Sequence, residues 1–334
     1  MKLVKLLAAT ASALALVLAS GPGAAADKVK IAMVVKSLGN GFFDAAHEGG
    51  NAAAKELGDV DLIYTGPTAP TAEAQIEVIN SLISQKVDAL VISANDKDAL
   101  VPIAKRAMQR GIKVISFDSG IAPAGRLMQL NPSNNALIGT KLVQMASDAA
   151  GGAGDIAILS ATAQATNQNI WIAEMKKALA KPEFSKLKLV NVVYGDDQSD
   201  KSYREALGLL RSNPNLKVIV APTTVGIVAS AKAVADEKLI GKVYVTGLGL
   251  PSEMAGHVKS GAVKSFAIWN PIDLGYTATE LAYAFIKGKA TGKEGEQIAV
   301  GRMGKITVEA GGEAAMAPPF TYDKSNVDQF AKIF

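Results

Sequence analysis

Short runs of apolar and β-branched residues alternate with longer amphipathic segments along most of this chain. The pattern repeats about every 25–33 residues, which is typical of parallel βαβ units. Near-continuous apolar runs such as 31–35 and 89–93 predict strands that are covered on both faces. The predicted strands are Val29–Val35, Val60–Tyr64, Ala89–Ser93, Lys113–Phe117, Asp155–Ser160, Lys188–Tyr194, Lys217–Val220, Lys242–Gly247 and Lys264–Trp269.

Helical patterns fill the intervals between these strands. One of these helical segments, Tyr203–Ser212, places its leucines on one stripe and its arginines on the opposite side. Alternating strands and helices of this kind predict an α/β fold with two doubly wound parallel-sheet lobes. The clearest predicted helices are Ala72–Ser84, Ala99–Gln109, Asn134–Ala149 and Tyr203–Ser212.

Three breaks interrupt the alternation and predict a three-crossing hinge between the lobes. The first is Arg126–Asn135, where Asn134 is expected to cap the next helix. The second is Pro271, because a proline forces the preceding residue out of the helical region. The third is Ala315–Phe320. The chain is therefore divided into an N-terminal lobe of residues 27–130 plus 271–316 and a C-terminal lobe of residues 131–270 plus 317–334.

The N-terminus has the charged, apolar and small-residue order of a secretory signal peptide, with cleavage expected after Ala26. Removal of Lys2 and Lys5 lowers the formal charge from +4 to +2, so no nucleic-acid partner is expected. With no cysteine and only two histidines, the chain is expected to hold no metal and no cofactor. We expect an exported, periplasmic protein.

Candidate binding residues follow the strands, because ligands of open α/β sheets bind outside the carboxyl ends of the strands. Amides and carboxylates can satisfy sugar hydroxyls, and aromatic rings can cover apolar sugar faces. Each residue also has a plainer interpretation, since Phe42 and Phe43 suit a helix core and 167–169 suits a helix cap. The candidates are Lys36, Asn40, Phe42, Phe43, Asp118, Asn167, Gln168, Asn169, Pro222, Thr224, Leu250, Trp269 and Asn270.

Signatures of enzymes are weak in this sequence. No phosphate-binding P-loop occurs, and the glycines at 247 and 249 form only an incomplete dinucleotide motif. No nucleophile, acid–base pair or metal site can be assembled. A DNA-binding regulator would carry a helix-turn-helix and a basic face before the first strand, where this chain has a signal-peptide pattern. A binding protein is therefore favoured over an enzyme or a regulator.

Four segments, at 31–50, 91–120, 243–254 and 267–276, resemble the periplasmic sugar-binding proteins related to the ribose receptor and the lac-repressor core. The resemblance implies the type I periplasmic binding protein fold, whose lobes close around a sugar before the protein docks on the permease of an ABC transporter. It also implies that Asn40, Phe42, Phe43 and Asp118 contact the sugar. A monomer is expected.

Two branches of this family are most similar. The segments VVKSLGNGFF, DLIYTGPTAPTAEAQ, ATNQNIW, YGDDQSDKS and APTTVG resemble rhamnose-binding proteins. Autoinducer-2 receptors are the alternative, and their pattern of Lys, Asp, Asp-Gln, Pro and Ala falls on Lys36, Asp118, 167–168, Pro222 and Thr224. The chain departs from that pattern at residue 167, which is an asparagine, and at Thr224. The resemblance therefore implies an importer component for rhamnose or a related small sugar.

Overall fold

The computed structural model describes residues 28–334. The predicted signal peptide lies outside these residues. None of the helices described between 28 and 334 is long and apolar enough to cross a membrane.

Six strands form the first sheet, and all of its pairings are parallel. Their spatial order is β2-β1-β3-β4-β5-β13. The strand order therefore reverses between the neighbouring strands β1 and β3. Such a switch point opens a crevice at the carboxyl ends of the strands. The strands are β1 (Val29–Val34), β2 (Val60–Thr65), β3 (Ala89–Ile92), β4 (Lys113–Phe117), β5 (Met128–Asn131) and β13 (Glu313–Ala315).

The second sheet repeats this arrangement. Its parallel strands have the order β7-β6-β8-β9. Isolated β-bridges connect the end of β9 to β10. Strand β10 in turn pairs antiparallel with β14. The switch point here lies between β6 and β8. A separate hairpin joins β11 to β12. These strands are β6 (Gly154–Ser160), β7 (Leu187–Tyr194), β8 (Leu216–Ala221), β9 (Tyr244–Gly247), β10 (Ser265–Ile268), β11 (Gln297–Ala299), β12 (Lys305–Thr307) and β14 (Phe320–Asp323).

Helices cover both faces of the first sheet, as a doubly wound fold requires. In β1, Ile31 and Met33 belong to one apolar core while Ala32 and Val34 belong to the other. The helices are α1 (Gly41–Leu57), α2 (Ala72–Ser84), α3 (Val101–Gln109), α4 (Asn135–Ala150), α5 (Thr166–Leu179), α6 (Ser199–Ser212), α7 (Thr224–Asp236), α8 (Pro251–Ser260), α9 (Pro271–Ile286) and α10 (Val327–Phe330).

The chain passes between the two sheets three times. It leaves the first sheet after β5, returns with α9 and β13, and leaves again to add β14 to β10. The pattern breaks in the sequence predicted this number of passages. The lobe boundaries at 131, 271 and 317 stay a prediction, and Asn131 is still the last residue of β5, paired with Ala315.

All nine predicted strands are present with shifts of a few residues at their ends, and Asn134 caps α4 by accepting from the N–H groups of Ala136 and Leu137. Five strands, β5 and β11–β14, were not predicted. Each has only three or four residues, too few to show an alternating pattern. Their pairing depends on partners distant in the sequence.

Helices α1 and α9 approach each other more closely than side chains normally allow. A Cβ atom added to Gly49 would lie 1.8 Å from the carbonyl oxygen of Ile272, and one added to Gly275 would lie 1.8 Å from that of Ala46. Both glycines are therefore needed because backbone packs on backbone. This contact fixes α1, whose first turn carries Phe42 and Phe43.

Gly275→Ala is expected to destabilise the protein by about 2–3 kcal/mol, because the added methyl group must separate the two helices. Gly208→Ala is the matched control, since Gly208 is exposed within α6 and a Cβ there meets nothing within 4 Å. This second change should stabilise the protein by about 0.5–1 kcal/mol through helix propensity. Urea unfolding measures both, and equal effects would contradict the close packing of α1 and α9.

Candidate ligand-binding cleft

A cavity lies between the carboxyl ends of the two sheets. Both sheets contribute to it at their switch points, where ligands of open α/β sheets bind. Polar and aromatic side chains share the lining. The lining residues are Lys36, Asn40, Phe42, Phe43, Asp118, Asn167, Gln168, Trp171, Asp197, Pro222, Thr223, Thr224, Leu248, Ile268 and Trp269.

Ten of the thirteen predicted site residues meet in this lining. The first sheet supplies five of them from the segments that follow β1 and β4, and the second sheet supplies the rest. Their role in binding stays a prediction. The ten are Lys36, Asn40, Phe42, Phe43, Asp118, Asn167, Gln168, Pro222, Thr224 and Trp269.

Three predicted residues lie outside the lining. The Asn169 side chain is exposed and donates to the carbonyl oxygen of Ala163. Leu250 is the N-cap residue of α8, and its buried side chain packs against the start of α1, where a Cβ on Gly41 would lie 3.1 Å from it. Asn270 caps α9 by accepting from the N–H of Ile272. Each follows a strand as predicted, but its local bonding or packing turns it away from the cavity.

Five lining residues were not predicted. Trp171, Asp197 and Thr223 are aromatic or polar residues near strand ends, so the rule that found the others could have found them too. Leu248 and Ile268 are apolar residues at the ends of strands, and nothing in the sequence distinguishes them from core residues.

Asp118 is the most buried charged residue of the cavity, with 4% of its surface exposed. Its two carboxylate oxygens accept from the Ser93 hydroxyl at 2.8 Å and from the Asn167 amide at 2.8 Å. Burial raises the pKa of the Asp118 carboxyl, while nearby Lys36 and the two hydrogen bonds oppose that rise. The residue also has a φ of 56°, a left-handed conformation that is sparsely populated outside glycine. Such strain is often retained at functional sites.

The Lys36 ammonium lies between two carboxylates. Its Nζ atom is 3.8 Å from an Asp118 oxygen and 3.9 Å from an Asp197 oxygen. Both distances exceed the 2.7–3.2 Å or so of a direct N–H···O bond. The three groups thus form a buried charged cluster with one more carboxylate than ammonium, which favours donors such as hydroxyls over anionic ligands.

Aromatic rings form the apolar side of the cavity. Phe42 packs edge-on against Phe43 and Trp269, with centroids 5.3 and 6.1 Å away, and Trp171 lies 5.6 Å from Trp269. Phe42 follows β1 and Trp269 follows β10, so the cluster spans both sheets. It is typical of sites that pack against the C–H face of a ligand.

Two polar contacts also cross the cleft. The Asn167 amide of α5 donates to Asp118, and the Thr224 hydroxyl donates to the Asn40 side-chain oxygen at 3.4 Å. These contacts hold the lobes together around the cavity. Within residues 28–334, no three acidic, histidine or cysteine side chains gather in a way that could hold a metal ion. The arrangement therefore suits an uncharged ligand that has hydroxyls on one side and an apolar face on the other.

Comparisons with known proteins bear on this site. A family profile described as a periplasmic binding protein domain matches residues 31–290. An ABC transporter solute-binding protein from Clostridium phytofermentas, solved with bound L-rhamnose, is 39% identical, covers 92% of this chain and 99% of its own, and superposes with a TM-score of 0.89.

Two further relatives are more distant. The D-ribose/D-allose-binding protein of Pseudomonas aeruginosa is 29% identical, over 72% of this chain and 77% of its own. LsrB from Clostridium saccharobutylicum, solved with AI-2, has a TM-score of 0.85 over 90% of this chain and 99% of its own, but is 21% identical and shows the fold alone. Because the matched domain spans most of this chain and the two-lobed fold agrees, the protein belongs to the periplasmic binding protein family, with the type I fold.

Proposed function

We propose that this protein is the substrate-binding component of an ABC sugar importer and that it binds L-rhamnose or a closely related neutral sugar. The observation that carries the proposal is the cavity itself, which lies between the two lobes. The charged cluster of Lys36, Asp118 and Asp197 offers hydrogen bonds to a ligand. The rings of Phe42, Phe43, Trp171 and Trp269 form the apolar side of the cavity, the aromatic wall. The 39% identity to a protein solved with L-rhamnose supports this choice of sugar.

A sugar matches both sides of the cavity. The Asp118 carboxylate can accept from two adjacent hydroxyls, because each oxygen has further acceptor capacity beyond its one protein hydrogen bond. The aromatic wall can cover a C–H face that water would otherwise solvate poorly. L-rhamnose carries a methyl group in place of a hydroxymethyl. Phe42, Phe43 and Trp269 provide an apolar surface on which that methyl group can pack.

Binding is coupled to closure because the two sides of the cavity belong to different sheets. Asp118 and Phe42 come from the first sheet, whereas Asn167 and Trp269 come from the second. A ligand that contacts both sides stabilises the closed arrangement over the open one. The closed protein would then dock on the permease in the inner membrane and release the sugar there. We propose that it does so as a periplasmic monomer, after removal of residues 1–26.

Autoinducer-2 is the alternative ligand, and one contact argues against it. Autoinducer-2 receptors resemble this chain at most site positions, but residue 167 here is an asparagine. The Asn167 amide donates to Asp118, a contact that an ionised aspartate at this position could not make. An aspartate would instead add a third negative charge beside Asp118 and Asp197.

The identity of the ligand can be tested directly. We expect mass spectrometry of material released on denaturation to detect a co-purifying deoxyhexose. Calorimetry should then show that L-rhamnose binds more tightly than L-mannose, which differs from it only by a hydroxyl on C6, by up to about a hundredfold, because an apolar pocket rejects an added hydroxyl only to that extent. Ribose, allose and autoinducer-2 complete the panel. Equal affinity for L-rhamnose and L-mannose would contradict the proposed apolar contact to the methyl group. Tight binding of autoinducer-2 with no binding of L-rhamnose would overturn the proposal.

Asp118→Ala is expected to weaken sugar binding at least a hundredfold while the protein remains folded. The change removes up to two charge-assisted hydrogen bonds, each contributing about 1.5–3 kcal/mol. Asp98→Ala, at an exposed carboxylate, is the control and should bind as wild type does. Calorimetry gives the affinities and thermal melting verifies the fold. An affinity within tenfold of wild type would show that Asp118 does not hold the ligand.

The affinity should also fall as the pH is lowered. Sugar hydroxyls donate to the ionised carboxylate, so protonation of Asp118 opposes binding. Because burial raises the pKa of Asp118, the decline should begin at a higher pH than an ordinary aspartate would produce. Below that pKa the affinity should drop by about tenfold per pH unit. Calorimetry between pH 8 and pH 4 measures the profile, and a constant affinity across this range would contradict it.

A further inference from the structure

Asp197 occupies a second carboxylate position in the cavity, opposite Asp118. It follows β7, and its side chain is only 7% exposed. Its backbone φ is 50°, so both carboxylates of the cavity are held in the left-handed region. This conformation is sparsely populated outside glycine, and the surrounding fold holds it twice at one site.

The protein bonds only part of the Asp197 carboxylate. One oxygen accepts from the Thr223 hydroxyl, and the other lies 3.9 Å from the Lys36 ammonium. A carboxylate has about four acceptor sites, so most of its hydrogen-bonding capacity is unused. Thr223 caps α7, which fixes the orientation of the carboxylate toward the cavity.

The spacing of the charged cluster leaves room for a bridging group. Lys36 is too far from both carboxylates for direct hydrogen bonds, and polar contacts beyond about 3.5 Å are commonly bridged by an oxygen. A sugar hydroxyl can accept from the ammonium and donate to a carboxylate at the same time. Such a group would satisfy both partners, whereas an anionic ligand would face two carboxylates.

We propose that Asp197 is a ligand-binding residue that accepts a hydrogen bond from a sugar hydroxyl, while Asp118 accepts from a neighbouring one. This inference rests on the proposed sugar-binding function and deepens it. The ligand is held between a carboxylate of each lobe, with Lys36 donating between them. The class of ligand is then a neutral sugar whose adjacent hydroxyls reach both carboxylates.

The chain offers a matched pair of variants. Asp197→Asn removes the charge and keeps a side chain that tolerates a positive φ. Asp196→Asn is the control, because Asp196 has a φ of 55° and a carboxylate paired with Lys201, and it lies outside the cavity lining. Calorimetry with L-rhamnose should show a loss of about tenfold or more for Asp197→Asn and less than about twofold for Asp196→Asn. Thermal melting confirms that both variants fold.

Sugar analogues that each lack one hydroxyl distinguish a direct contact from a positioning role. In wild type, removal of the hydroxyl that faces Asp197 should weaken binding, and in Asp197→Asn the same removal should have a much smaller effect. Equal losses in both proteins for every analogue would show that Asp197 only orients Lys36 or Thr223, and would overturn the inference.

The outcomes also separate this inference from the proposed function. If wild type binds a different sugar of the panel more tightly than L-rhamnose, the same variants are measured with that sugar. Binding by wild type with an unchanged Asp197→Asn variant overturns the inference alone. Failure of wild type to bind any sugar of the panel overturns both.

Discussion

The architecture of this protein centres on the burial of a carboxylate where two parallel sheets meet. Burying an ionised Asp118 without partners would be strongly unfavourable, and its raised pKa reflects that tendency. Lys36 and Ser93 compensate from the same sheet, but Asn167 does so from the other. Its protein partners are therefore complete only when the lobes are together. An open cleft would expose Asp118 to water, so either water or the closed protein must solvate it.

Packing of aromatic rings between the lobes is the second interaction that stabilises the closed state. Phe42 and Trp269 come from different sheets and meet edge to face, so separating the lobes would expose apolar surface. Neither contribution requires a large interface, because each acts at the cavity where we propose that the sugar binds. In that proposal a sugar adds hydroxyls to the charged cluster and an apolar face to the rings. The same few contacts would then serve both closure and recognition, which would couple them.

The sequence predicted most of the fold because its signals are local. Buried parallel strands appear as apolar runs and capped helices as an asparagine before an amphipathic segment, as at Asn134 and α4. The short strand β13 has no such signal, since it is specified by β5 more than 180 residues earlier. Ten site residues followed from one rule about strand ends. Asn169 and Asn270 obey that rule yet point elsewhere, because a local hydrogen bond directs each side chain.

The sequence by itself determined the α/β class, the three passages between lobes and the side of each sheet at which the cavity lies. These follow from periodicity and from the direction of parallel strands, which are properties of neighbouring residues. Only the tertiary structure decided that Asp197 faces Lys36 and Asp118, that Trp171 joins the aromatic wall, and that Leu250 packs against the start of α1. Those placements depend on the contact between two sheets and on backbone conformations such as the positive φ of Asp197. These placements depend on distances between residues that are far apart in the chain. No local sequence pattern encodes such distances.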